Sequence, residues 1–102
     1  MFVYLITTEN TRSYKIGVSL NPEKRIKELQ TGSNEKLKLI EKYWCNSNSY
    51  MIEKALHRRY SYLKILGEWF EFTEEIEKNF VSECKLIDKN ISHLKQMGNY
   101  FI

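Results

Sequence analysis

Five side chains qualify as site candidates by type and setting: Tyr4 and Lys15 inside two apolar runs, Arg25 after an Asn21-Pro22 pair, and Glu53 and His57 four residues apart. A phenol, an ammonium, a guanidinium, a carboxylate and an imidazole are the parts of a proton-transferring, phosphate-handling site. Each also has an ordinary role. Tyr4 can be a half-buried strand residue with its hydroxyl in water. Arg25 can simply pair with Glu28, an i, i+3 interaction of roughly 0.2 to 0.5 kcal/mol. Glu53 and His57 can belong to a solvated helix face.

The elements that must carry these residues follow from local pattern. Phe2-Val3-Tyr4-Leu5-Ile6-Thr7 and Tyr14-Lys15-Ile16-Gly17-Val18 are β-branched and aromatic runs separated by a polar stretch, which predicts a hairpin. Asn21 as N-cap and Pro22 at the first helical position predict a helix to about Gln30, stopped near Gly32, with Pro22, Ile26 and Leu29 buried and Arg25 at the rim. Leu37 to Trp44 reads as a third strand. Behind the capping candidates Ser47, Asn48 and Ser49, a second helix from about Tyr50 to Leu63 places Ile52, Ala55, Leu56, Arg59 and Leu63 on one side. Glu53, His57 and Tyr60 form the adjoining stripe. Gly67 breaks the chain, and Glu68-Trp69-Phe70-Glu71-Phe72 is a strand or an anchored loop.

Thr73, followed by Glu74 and Glu75, opens a final helix that runs to about Gln96. Its apolar positions Ile76, Phe80, Cys84, Ile87, Ile91 and Leu94 form one stripe, which docks on its own domain or, as the lesser alternative, forms a homodimer seam. Asn99 to Ile102 read as a tail. Since 102 residues with 42% hydrophobic content suffice for one core and not two, the reading is a single domain, with residues 1–72 as its centre and 73–102 as a helix and tail packed on it.

Charge is unevenly spread. Residues 12 to 66 carry twelve Lys/Arg against five Asp/Glu, a balance of +7, whereas residues 67 to 79 carry five glutamates against Lys78, a balance of −4. One face can therefore meet phosphates, with Lys24, Lys27, Arg58 and Arg59 as candidate nucleic-acid contacts and the acidic belt expected off that face. Cys45 and Cys84, with His57 and His93, show none of the close pairings of structural zinc sites and read as small apolar core residues. No apolar run approaches the length that spans a bilayer, and the N-terminus lacks the pattern of a signal peptide. The expectation is a soluble chain in a reducing cytoplasm, or in a host cytoplasm or nucleus if viral, with no membrane partner.

Taken in order, Val3-Tyr4-Leu5-Ile6, Tyr14-Lys15-Ile16-Gly17-Val18-Ser19, Asn21-Pro22-x-x-Arg25-x-x-x-Leu29, Glu53-Lys54-Ala55-Leu56-His57 and Gly67-Glu68-Trp69-Phe70 resemble the GIY-YIG endonuclease superfamily, in the small branch common in phages and viruses. The resemblance spans residues 2 to 72. It implies an α+β fold, a small three-stranded antiparallel sheet flanked by helices, with a long C-terminal helix, and a metal-assisted cut of DNA. Tyr4 matches the first-motif tyrosine, Arg25 the helix arginine and Glu53 the metal-binding glutamate. The implied cofactor is Mg²⁺ or Mn²⁺, with Glu53 as its ligand and His57 relaying a proton or holding a ligand water.

The chain departs from the pattern at three places. Phe2 stands where the first motif has glycine, and Lys15 replaces the second-motif tyrosine, with Tyr14 on the opposite strand face. Lys15 then either binds the phosphate or lowers the pKa of Tyr4. Glu68-Trp69-Phe70 offers no late asparagine, which makes Trp69 and Phe70 core anchors and Glu68 a doubtful site residue. Two functions follow: a metal-dependent endonuclease, or a catalytically weak domain of the same fold that binds nucleic acid or a protein.

Overall fold

The computed structural model describes residues 1–98, and the expected tail from Asn99 lies outside the described residues. Strands β1 (Phe2–Thr8) and β2 (Ser13–Ser19) form the expected antiparallel hairpin, which sets Tyr4 opposite Gly17 and Ile6 opposite Lys15. Helix α1 (Pro22–Thr31) begins as predicted, with the Asn21 side chain accepting from the Lys24 backbone N–H at 3.1 Å. Strand β3 (Leu37–Trp44) lies antiparallel on the other side of β1.

Among the described residues the sheet has five strands, not three. After helix α2 (Ser49–Arg59), strands β4 (Lys64–Leu66) and β5 (Trp69–Glu71) fold back on each other, and β5 adds to β2, giving the order β3-β1-β2-β5-β4. Two physical features make the addition possible. Gly67 takes φ +59°, a left-handed conformation that a side chain disfavours, so the chain can reverse there. The hydrogen-bonding edge of β2 at Ser13 to Lys15 would otherwise be open, and Glu71, Phe70 and Trp69 pair with it.

Both later helices are shorter than their sequence patterns suggest. Helix α2 stops at Arg59, and Ser61–Leu63 form a tight 3-10 turn, because Tyr60 leaves the helix to set its ring edge-on against Phe72 at 4.9 Å. Arg59 is therefore exposed rather than on the buried stripe, and it pairs with Glu83 at 2.9 Å. The final helix divides at Asn79, a weak helix former, into α3 (Glu74–Lys78) and α4 (Phe80–Gln96). Thr73 caps α3 by accepting from the Ile76 N–H. At the start of α2, Asn48 does not cap with its side chain. That amide is buried and joins Asp88, Ser92 and Lys95 of α4 at 2.8, 3.0 and 2.7 Å.

Alternation along the strands builds two apolar layers. On one side of the sheet Val3, Leu5, Tyr14, Ile16 and Phe70 meet Ile52 and Leu56 of α2 and Phe80, Cys84 and Ile91 of α4. Both cysteines are buried there, and the α4 stripe is spent on its own domain. On the other side Tyr4, Ile6 and Leu37 pack with Ile26 and Leu29 of α1 and with Trp69. Among the described residues no helix is long and apolar enough to cross a membrane.

Candidate functional site

Tyr4 sits on the α1 side of β1 and is 2% exposed. Its ring lies over Gly17: a Cβ there would stand 2.5 Å from Tyr4 Cζ and closer still to the hydroxyl oxygen. Gly17 thus makes room for the Tyr4 ring. Burial pushes the Tyr4 hydroxyl above the usual phenol range. Arg25 opposes the rise by hydrogen bonding and charge, while the Glu68 and Glu53 carboxylates add to it. Tyr4 is therefore a neutral phenol at neutral pH, and the cation that opposes the rise is Arg25. Arg25 is half-exposed and also reaches Glu28 at 3.3 Å, so its ordinary role and its approach to Tyr4 coexist.

The charge of Lys15 is directed elsewhere. Lys15 shares the α1 side with Tyr4 and Gly17, has a side chain only 10% exposed, and donates to Glu68 Oε1 at 2.7 Å. Tyr14, one residue earlier, points to the opposite side as predicted and donates to Glu77 at 2.6 Å. A buried ammonium is costly without a counter-ion. That cost is the sequence signal that Lys15 needed a carboxylate, but only the pairing of Lys15 with Trp69 across β2 and β5 brings Glu68 to it.

Glu53 and His57 approach from α2. His57 Nε2 lies 3.0 Å from the Ile16 carbonyl oxygen, which can only accept, so Nε2 carries a hydrogen and the lone pair of a neutral ring is on Nδ1. The ring stands edge-on to Phe70 at 5.0 Å. Burial raises the Glu53 carboxyl, the neighbouring Glu68 raises it further, and the charges of His57 and Lys15 oppose the rise. One donor atom from each of Glu53, His57 and Glu68 lies within 4.8 Å of the others. Glu68, doubted in the sequence and counted with an acidic belt away from the site, is the residue that touches both halves of it.

The T5orf172 domain family matches residues 1–85 of the 102. The chain belongs to that family. T5orf172 domains are GIY-YIG- or HNH-like nuclease-type domains associated with phages. No curated protein matches the chain, and no solved structure does. Tyr4, Lys15, Arg25, Glu53, His57 and Glu68 all fall inside the matched T5orf172 span.

The basic residues of this T5orf172 domain are not all in one place. Lys24 and Arg25 line an open groove of about 400 Å³ with Val18, Ser19 and Asn21. Arg58 lines a separate groove of about 380 Å³ that also contains Glu53 and Lys54. Lys27 is exposed on α1, whereas Arg59 is drawn toward α4 by its pair with Glu83.

Proposed function

We propose that this T5orf172 domain is a metal-dependent endonuclease that hydrolyses DNA phosphodiester bonds. The observation that supports it most is the convergence, from separate segments of the chain, of Glu53 and His57 with Glu68, whose carboxylate Lys15 holds at 2.7 Å. Two carboxylates and an imidazole are a donor set suited to a divalent cation, and Glu53 is the residue to hold Mg²⁺ or Mn²⁺. When bound, the ion would stabilise charge developing on the leaving 3′-oxygen.

The chain's own residues supply the rest. Arg25, half-exposed at the rim, spreads its charge over the phosphoryl oxygens. Tyr4, held neutral by its burial, orients the attacking water through its hydroxyl, which suits it better than removing a proton. Lys15 keeps Glu68 in place and offers positive charge to the phosphate. His57, whose Nε2–H is held by the Ile16 carbonyl, keeps its Nδ1 lone pair available to the ion or to one of the ion's waters. Lys24, Lys27 and Arg58 position the DNA backbone without reading its sequence.

The test is plasmid cleavage with Mg²⁺ or Mn²⁺, compared with Glu53→Ala. The expected result is ion-dependent cutting that Glu53→Ala abolishes while the circular dichroism spectrum is unchanged, and equal cutting by both proteins would refute it. A second reading, a weakly catalytic domain that binds nucleic acid, is favoured by the Lys15–Glu68 pair, which occupies the ammonium in the resting site. DNA binding without cleavage in the same experiment would select it.

A further inference from the structure

We infer that Glu53, His57 and Glu68 act together as a three-ligand site whose preferred occupant is a Mn²⁺-class ion rather than Mg²⁺. The inference rests on the site assignment made above, but not on DNA cleavage. A single carboxylate among waters suits Mg²⁺, which holds its water shell tightly and favours oxygen donors. A mixed set of two carboxylates and one imidazole suits transition-metal ions, which bind nitrogen more strongly. The three donor atoms already lie within 4.8 Å of one another, so they can close on one ion with small side-chain movements.

Three features prepare the donors. The hydrogen bond of His57 Nε2 to the Ile16 carbonyl fixes the ring and leaves Nδ1 as the ligating atom, the arrangement by which metal-binding imidazoles are commonly oriented. Packing of the ring edge against Phe70 holds the same orientation. Lys15 takes Glu68 Oε1 at 2.7 Å and leaves the other carboxylate oxygen for the ion, so a nearly buried ammonium acts as the positioning residue for an otherwise half-exposed ligand. Three protein donors leave the remaining coordination positions for water and a phosphate oxygen.

The experiment uses the whole chain without DNA. Mn²⁺ is titrated and free ion is followed by electron paramagnetic resonance, with Mg²⁺ then added as competitor. Wild type is expected to bind one Mn²⁺ and to need at least about a tenfold excess of Mg²⁺ for its displacement, while Glu68→Gln and His57→Gln each weaken Mn²⁺ binding by about tenfold or more. Because His57→Gln also removes the Ile16 bond, a second measurement uses wild type alone. Substoichiometric Mn²⁺ should broaden the His57 ring signals in the NMR spectrum and spare those of His93. Unchanged binding in Glu68→Gln, equal broadening of both histidines, or equal affinity for Mg²⁺ and Mn²⁺ would each overturn the inference. Absence of cleavage beside intact Mn²⁺ binding would instead count against the nuclease reading alone.

Discussion

The two faces of the sheet divide the work unequally. Among the described residues, the apolar cluster toward α2 and α4 has thirteen buried members, whereas the cluster toward α1 has three, one of which is Tyr4. Stability should reside on the first, because apolar burial contributes roughly 25 cal/mol per Å² and most of the buried apolar residues are there. The thinner second face carries Lys15 and the half-exposed Arg25, charged groups that add little apolar burial, beside the buried Tyr4. The buried ammonium of Lys15 lies on the thinner face, while the larger face supplies most of the apolar packing.

Alkali should break this division most completely. Cys84 is pushed up by burial from an ordinary 9.0 to about 12, and burial also raises Tyr14, Tyr43 and Tyr60, all on the larger face. Groups with raised folded-state values contribute stability that is fully present below their unfolded values and is lost as pH climbs. Unfolding followed by circular dichroism should therefore set in above about pH 9 and run toward pH 12. A fold unchanged at pH 12 would contradict the assignment. Leu56→Ala, in the middle of the larger face, should cost about 2 to 5 kcal/mol in urea unfolding, whereas Ile26→Ala on the α1 side should cost clearly less.

Substitutions on the thin face should affect activity before stability. Arg25→Ala is expected to cut DNA about a hundredfold more slowly with nearly unchanged binding, since a donor that acts in the transition state lowers kcat selectively. Parallel losses of binding and cutting would reduce Arg25 to a phosphate contact. Gly17→Ala forces the Tyr4 ring aside and should cost about 1 to 3 kcal/mol of stability, with a further loss of cleavage in the fraction that remains folded. Smallest is the effect of surface charge. Lys27→Glu should weaken DNA binding and lower the salt slope by about 0.9 for each phosphate that the protein no longer neutralises, while Lys89→Glu on α4 should change neither. The reverse pattern would place the DNA on the wrong side of the molecule.

Much of the local structure is legible in the residues alone. Asn21-Pro22 starts α1, Thr73 caps α3, and the alternation in β1 and β2 sends Tyr4 and Lys15 to one side and Tyr14 to the other, because caps and strand periodicity depend on neighbours within a few positions. The same short-range signals misjudge where the later helices end. Nothing within a turn of Tyr60 announces that its ring will meet Phe72 in the same core that takes Phe80.

The sequence by itself therefore determined the α+β class, the hairpin, and five of the candidate site's residue types in their order along the chain. Only the tertiary structure decided that the sheet has five strands, that Arg59 faces Glu83 rather than the core, and that Glu68 joins Lys15, Glu53 and His57. The reason is the distance along the chain over which each interaction closes. A cap or an alternating strand is set by adjacent residues, but Lys15 and Glu68 are 53 positions apart, and they meet only because β5 pairs with the edge of β2.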